Sequence, residues 1–250
     1  MAILKTEAIV LKTIPLRSSS LIVTLFSQNY GKIKGVAKGV RSERETRGAL
    51  YELFTRLDII FYEKTRSDLH ILSEAFMVDS YEPMREKLEG ICFASYMAEL
   101  VDKLFEVHDP HGKIFDLLNI SYRYLASLPG ERISRIFEVK MLREIGWLPF
   151  LDQCLYCGTK AFHEGYFSPT QGALVCSGCL KEAPDALSLS QESLATLRYF
   201  VQHDFEECLR YGISRGTDDQ LKQVLERFLL GRLGYPLKSR EFIHSIHSAI

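Results

Sequence analysis

A chain of 250 residues with 46% hydrophobic and 25% charged side chains has room for one large or two ordinary domains and the composition of a globular protein. No apolar run reaches the roughly 18–20 residues of a membrane-spanning helix, and Met1–Glu7 lack the basic and apolar regions of a secretory leader, so a cytoplasmic protein with reduced cysteines is expected. Net charge is −1, yet residues 1–50 carry nine basic and three acidic side chains, or +6, which leaves −7 for the remainder. A basic head on an acidic body points to a polyanionic partner; the plainer reading is a solvated lysine surface.

The first eighty residues read as strands. Ala2–Thr13 mixes aliphatic and polar residues, and Ser20–Ser27 is dense in β-branched and aromatic side chains. Asn29-Tyr30-Gly31-Lys32 is a turn signal, and Lys32–Lys38 then alternates charge and bulk. Alternation of side chains across a strand puts Lys32, Lys34 and Lys38 on one face. Gly39–Gly48 is a polar, glycine-bounded loop, and Leu53–Tyr62 and Asp68–Val78 supply two more strands. Five strands predict a small Greek-key barrel of the OB type, with an SH3-like barrel as the nearest competitor.

Beyond residue 80 the period changes to that of helices. Met84–Glu106 repeats apolar residues at three and four (Leu88, Ile91, Ala94, Ala98, Val101, Phe105), and His111–Leu128 and Glu131–Ile145 continue the pattern up to Gly146. Ser190 is placed to cap a helix through Leu194, Leu197 and Val201. Thr217-Asp218-Asp219-Gln220 has capping-box spacing before a stripe that ends at Gly234. The whole is thus α+β: a five-stranded barrel over residues 1–80, then a helical domain over 81–250 with an insertion at about 150–185.

That insertion holds Cys154-x-x-Cys157 and Cys176-x-x-Cys179, two knuckles separated by 18 residues, the spacing of a four-cysteine zinc site. Four thiolates close the coordination sphere, which predicts a structural zinc rather than a catalytic one. A redox dithiol would explain one pair but not both. Cys92 and Cys208 sit in helical patterns as small buried side chains. The sequence lacks a P-loop, a His-Glu-x-x-His motif and a Gly-x-Ser-x-Gly elbow. The one cluster that suggests a hydrolase is His108-Asp109-Pro110-His111, which also reads as a turn before a helix. No catalytic set emerges, and a non-enzymatic protein is expected.

Several strings then resemble, in order, the RecO family of bacterial DNA-repair proteins: Glu7–Lys12, Leu21–Phe26, Tyr30-Gly31-Lys32, Gly35–Gly39, Ala94-Ser95-Tyr96, Arg135–Glu138, Cys154-x-x-Cys157-Gly158 with Tyr166–Pro169, and Leu237–Arg240. The resemblance covers essentially the whole chain. It implies a recombination mediator that binds and anneals single-stranded DNA and, with RecR, helps load RecA onto strands coated by single-strand-binding protein; RecF is a further implied partner. Lys32, Lys34, Lys38, Arg41, Arg44 and Arg47 are then the expected phosphate contacts, with Tyr30 and Phe26 as stacking platforms. Two glutamates, Glu43 and Glu45, interrupt the basic loop. The acidic tail of single-strand-binding protein would dock on Arg132, Arg135, Lys140 and Arg143, against the alternative that these are ordinary helix charges. A rival reading is a scaffold whose barrel binds protein.

Overall fold

The structure, a computed structural model, describes the backbone of residues 2–41, 47–160 and 165–247. Five strands form a closed barrel: β1 (Ile3–Leu16), β2 (Ser20–Ser27), β3 (Gly31–Ala37), β4 (Arg56–Tyr62) and β5 (Leu69–Asp79). The order around the barrel is β1-β2-β3-β5-β4, closed by β1 on β4. All pairings are antiparallel except β3 with β5. A meander followed by a parallel closure is the OB topology, as expected, and not an SH3-like one. The interior is filled by alternate residues, among them Ala8, Val10, Val23, Leu25, Ile33, Leu57, Ile59 and Phe61.

Two bulges bend the sheet. The register of β1 against β2 slips between Val10 and Lys12, and that of β4 against β5 slips between Ile60 and Phe61, with a further irregularity at Arg56/Leu57. An extra residue reverses which side chains face inward. Val10 points into the barrel, whereas past the bulge Lys12 and Ile14 point out.

The predicted helix over Met84–Glu106 is two helices, α1 (Glu82–Arg85) and α2 (Leu88–Leu104). They separate because a side chain on Gly90 would sit 2.4 Å from Met84 O; only glycine allows that approach. α3 (Gly112–Leu125) and α4 (Gly130–Glu144) follow closely the predicted stripes. The insertion is a three-stranded sheet, β6 (Gly165–Ser168), β7 (Ala173–Cys176) and β8 (Leu187–Leu189), in the order β7-β6-β8. The C-terminal helices are α5 (Gln191–Gln202), α6 (Phe205–Arg210), α7 (Arg215–Leu233) and α8 (Lys238–His247). Ser190 caps α5 as expected. The cap of α7 is Ser214, and Thr217, predicted to be the cap, is instead its buried third residue, whose N–H the Ser214 hydroxyl accepts at 3.2 Å.

Contacts divide the chain into two compact units. One comprises the barrel, α1–α3 and α8; the other comprises α4–α7 and the insertion. In the first, Glu99 of α2 accepts from the N–H groups of Lys238 and Ser239 and so caps the start of α8. In the second, Phe200, Leu221, Val224, Leu225 and Phe228 are buried. Among the described residues no helix is long and apolar enough to cross a membrane.

Candidate nucleic-acid interface and metal centre

The outward face of β1–β2–β3 is organised in rungs. Lys12 pairs with Thr24, and Thr24 with Lys34; on the next rung Ile14 pairs with Ile22, and Ile22 with Val36. Lys12 and Lys34, both exposed, therefore flank Thr24 from either side, about 10 Å apart given the strand spacing. Lys38 is exposed just past β3. Arg41 N–H donates to Ser19 O at 2.9 Å and Gly39 N–H to Ser20 Oγ at 3.4 Å. These bonds tie the segment after β3 to the β1–β2 turn, where Arg17 is exposed at φ 55°. Among the described residues, none of Lys12, Arg17, Lys34, Lys38 and Arg41 has an ion-pair partner. On the β1–β4 side of the barrel two cations are paired: Lys5 meets Asp58 at 2.8 Å and Arg56 meets Glu7 at 2.9 Å. The Asp58 hydrogen bond and charge raise the Lys5 pKa.

Two expected contacts lie elsewhere. Phe26 and Lys32 form the rung beyond Lys34 on this face, but both are buried. The Phe26 ring meets Phe105 edge-on at 5.4 Å. The Lys32 ammonium donates to Asp102 O at 2.6 Å and lies 3.5 Å from Asp102 Oδ1. Helix α2 and the residue after it cover that end of the sheet, so neither side chain is available to a strand. Tyr30 is half-buried, its ring edge-on to Phe61 at 5.7 Å. Arg44 and the Arg47 side chain lie outside the described residues. Lys12 and Arg17 were missed by the sequence reading; the bulge that turns Lys12 outward carries no local sequence mark.

The expected docking helix is also occupied internally. Arg135 is buried, and its Nη1 donates to Glu138 Oε2 at 2.5 Å. Lys140 is buried; its ammonium donates to Phe200 O at 2.5 Å and also to His203 O. Arg143 donates to Val201 O at 2.8 Å, and Arg132 donates to Cys208 O at 2.7 Å and to Tyr211 O. Lys140, Arg143 and Arg132 thus satisfy carbonyls at and beyond the C-termini of α5 and α6, which helices leave without internal partners. That excludes Arg135 and Lys140 as a peptide-binding rim. The His108 cluster is likewise dispersed: His111 Nε2 lies 2.9 Å from Asp109 Oδ2, whereas the His108 ring packs edge-on against His70 at 5.1 Å.

Among the described residues one group could hold a metal: Cys154, Cys157, Cys176 and Cys179, with all four Sγ atoms within 4.8 Å of one another. Cys157 and Cys176 are 3.6 Å apart, close to the edge of about 3.8 Å that a tetrahedron with 2.3 Å metal–sulfur bonds requires. Backbone geometry builds the cluster. Gly158, at φ 71°, donates to Cys154 O at 3.0 Å, and Cys154 N–H donates to Thr159 O at 2.8 Å, so the first knuckle turns back on itself. Cys176 ends β7 and donates its N–H to Cys154 Sγ at 3.4 Å. Burial raises the Cys154 thiol pKa, but N–H groups of Cys157, Cys176 and Tyr156 outweigh it and bring the pKa down to about 6. The neighbouring thiols, Cys176 first, push Cys179 up to about 12. Four sulfurs this close repel one another when ionised, and a divalent cation is the charge that would offset that repulsion. The donor set fits a soft, tetrahedral metal with no open position.

Fold and site together define an OB-barrel protein with a cationic face that no described carboxylate neutralises and, in the helical part, four cysteines able to hold a metal. The family models described as Recombination protein O N terminal and Recombination protein O C terminal match residues 1–81 and 85–241. The chain is 32% identical to a DNA repair protein RecO of Bacillus pumilus (strain SAFR-032) over 249 residues, 98% of this chain and 95% of the relative. It is 32% identical to that of Syntrophus aciditrophicus (strain SB) over 248 residues, 97% and 95% of the two chains. The chain belongs to the RecO family of DNA repair proteins.

Proposed function

We propose that the protein is a recombination mediator that binds single-stranded DNA on the outer face of β1–β2–β3 and anneals complementary strands without catalysis. The observation that carries this reading is the rung Lys12–Thr24–Lys34, extended by Lys38, Arg41 and Arg17, with no carboxylate neutralising it among the described residues. Lysines spaced along a sheet contact phosphates without reading base sequence, and each contact releases condensed counterions. On the next rung Ile14 is exposed and Ile22 half-buried, and they lie beside the lysines as apolar surface for exposed bases. Annealing draws its free energy from base pairing, so the protein has only to screen strand repulsion and keep bases accessible. Together with RecR it would help load RecA onto strands coated by single-strand-binding protein, and RecF is a further candidate partner. The nucleoid during repair is the place of action. Zinc is the metal that best fits the four sulfurs, in a structural role.

The test is annealing of complementary oligonucleotides, bare and coated with single-strand-binding protein, by the wild type and by Lys12→Ala/Lys34→Ala/Lys38→Ala. The triple variant should anneal at least about tenfold more slowly, with unchanged melting temperature, for unrelated sequences alike, because the contacts are to phosphates. Equal rates would refute the assigned face. A second reading, a barrel that binds protein, has Phe76, Met77 and Val78 of β5 in its favour, all three exposed in succession. It predicts that Phe76→Ser abolishes partner capture while the lysine triple variant leaves it intact.

A further inference from the structure

Phe150 is an aromatic side chain that the fold of the second unit holds out of the core. Its N–H donates to Gly172 O at 2.8 Å and its carbonyl accepts from Leu174 N–H at 3.0 Å, so the residue makes an extra rung beside β7. Alternation buries Leu151 and leaves Phe150 40% exposed. Arg198 of α5 is anchored to the adjacent residue, Nε donating to Leu151 O at 3.1 Å and Nη2 to the same oxygen. Both side chains line one cavity of about 670 Å³, with Asp152, Gln153 and Lys160, a size within the usual range for small-ligand sites. In the sequence Gln153 and Lys160 bracket the first cysteine knuckle.

We propose that this cleft is a second nucleic-acid site, which takes one nucleotide unit of a single strand. The base stacks on Phe150, the phosphodiester meets Arg198 and Lys160, and the Gln153 amide faces the base edge. Stacking on a rigid aromatic ring beside a cation is how sequence-tolerant single-strand sites are built. The lining also selects against an acidic peptide. Asp152 opposes a ligand rich in carboxylates more than it opposes one singly charged phosphodiester, and a flat exposed ring is matched by a base. The inference rests on the nucleic-acid reading of the barrel but goes beyond it: each of the two units holds a strand, which gives annealing separate grips on the two complements.

The test uses the full-length, metal-loaded protein and a short oligothymidylate carrying 5-iododeoxyuridine, photocrosslinked and mapped by peptide mass spectrometry. A crosslink is expected in the segment from Trp147 to Lys160, in addition to crosslinks on the barrel. Phe150→Ala/Lys160→Ala should remove it and weaken the corresponding oligonucleotide equivalent about tenfold, with slower annealing, unchanged melting temperature and retained barrel crosslinks. Absence of a crosslink in that segment, or unchanged stoichiometry in the double variant, overturns the proposal. So does capture there of an acidic peptide that an excess of oligothymidylate fails to displace. A crosslink in this segment without any on the barrel would sink the barrel assignment and leave the cleft standing.

Discussion

Lys32 and Lys34 differ in fate although they share a face and a strand. Lys34 is exposed, whereas Lys32 is buried against Asp102. Lys32→Ala should therefore cost stability, about 2 kcal/mol by chemical denaturation, and leave the salt dependence of DNA binding unchanged. Alternation along β3 correctly gave the shared face; which end of it a helix covers depends on residues seventy positions away and has no local signature. A second residue-scale prediction concerns His70, buried with its Nδ1 accepting from Lys64 N–H at 3.2 Å. Burial and then the His108 ring lower its pKa, with Lys64 acting the same way, against the opposing pull of Glu63 and Asp68. The folded pKa thus lies below the unfolded value of about 6.5. The folded state favours neutral imidazole, so this contribution to stability is complete above that pH and is lost as pH falls through it. Denaturation midpoints across mildly acidic pH should decline in the wild type and flatten in His70→Phe. Parallel curves would show that His70 does not carry the effect.

At the scale of elements, the four-cysteine cluster ties separate segments of the insertion together. Its sulfurs join the first knuckle to the end of β7 and the short 3-10 helix Ser177–Glu182. Cys176→Ser, or a strong chelator, should lower the melting temperature, while the salt slope of DNA binding hardly moves. A slope that collapses along with the melting temperature would mean that the metal shapes the barrel interface itself. The two Cys-x-x-Cys motifs made this element legible because ligand spacing is a local property. The sheet β6–β8 was not, since strands of three or four residues are too short for a period to register. The N-cap of α7 shows the same boundary. Ser214 and Thr217 both offer hydroxyls three residues apart, and burial of Thr217 decides between them. Arg132, Lys140 and Arg143 looked like a charged helix face because the carbonyls they satisfy belong to other helices.

At the scale of the whole molecule, the near-neutral net charge conceals a segregation that the fold sharpens. The basic excess of the first fifty residues includes Lys5 and Lys32, which are paired within the protein, and the remaining described cations gather on one sheet face and its adjoining turns. The segregation itself was visible in the sequence. That α8 joins the barrel unit through Glu99, 139 residues before Lys238, was not. The measurement that bears most directly on the account is the affinity for a fluorescent single-stranded oligonucleotide, by anisotropy, across a range of salt. Wild-type affinity should fall log-linearly with salt, and Lys12→Ala/Lys34→Ala/Lys38→Ala should flatten that slope by about 2, at roughly 0.7 for each lost phosphate contact. Binding that is absent in dilute buffer, or indifferent to salt in both proteins, would contradict it.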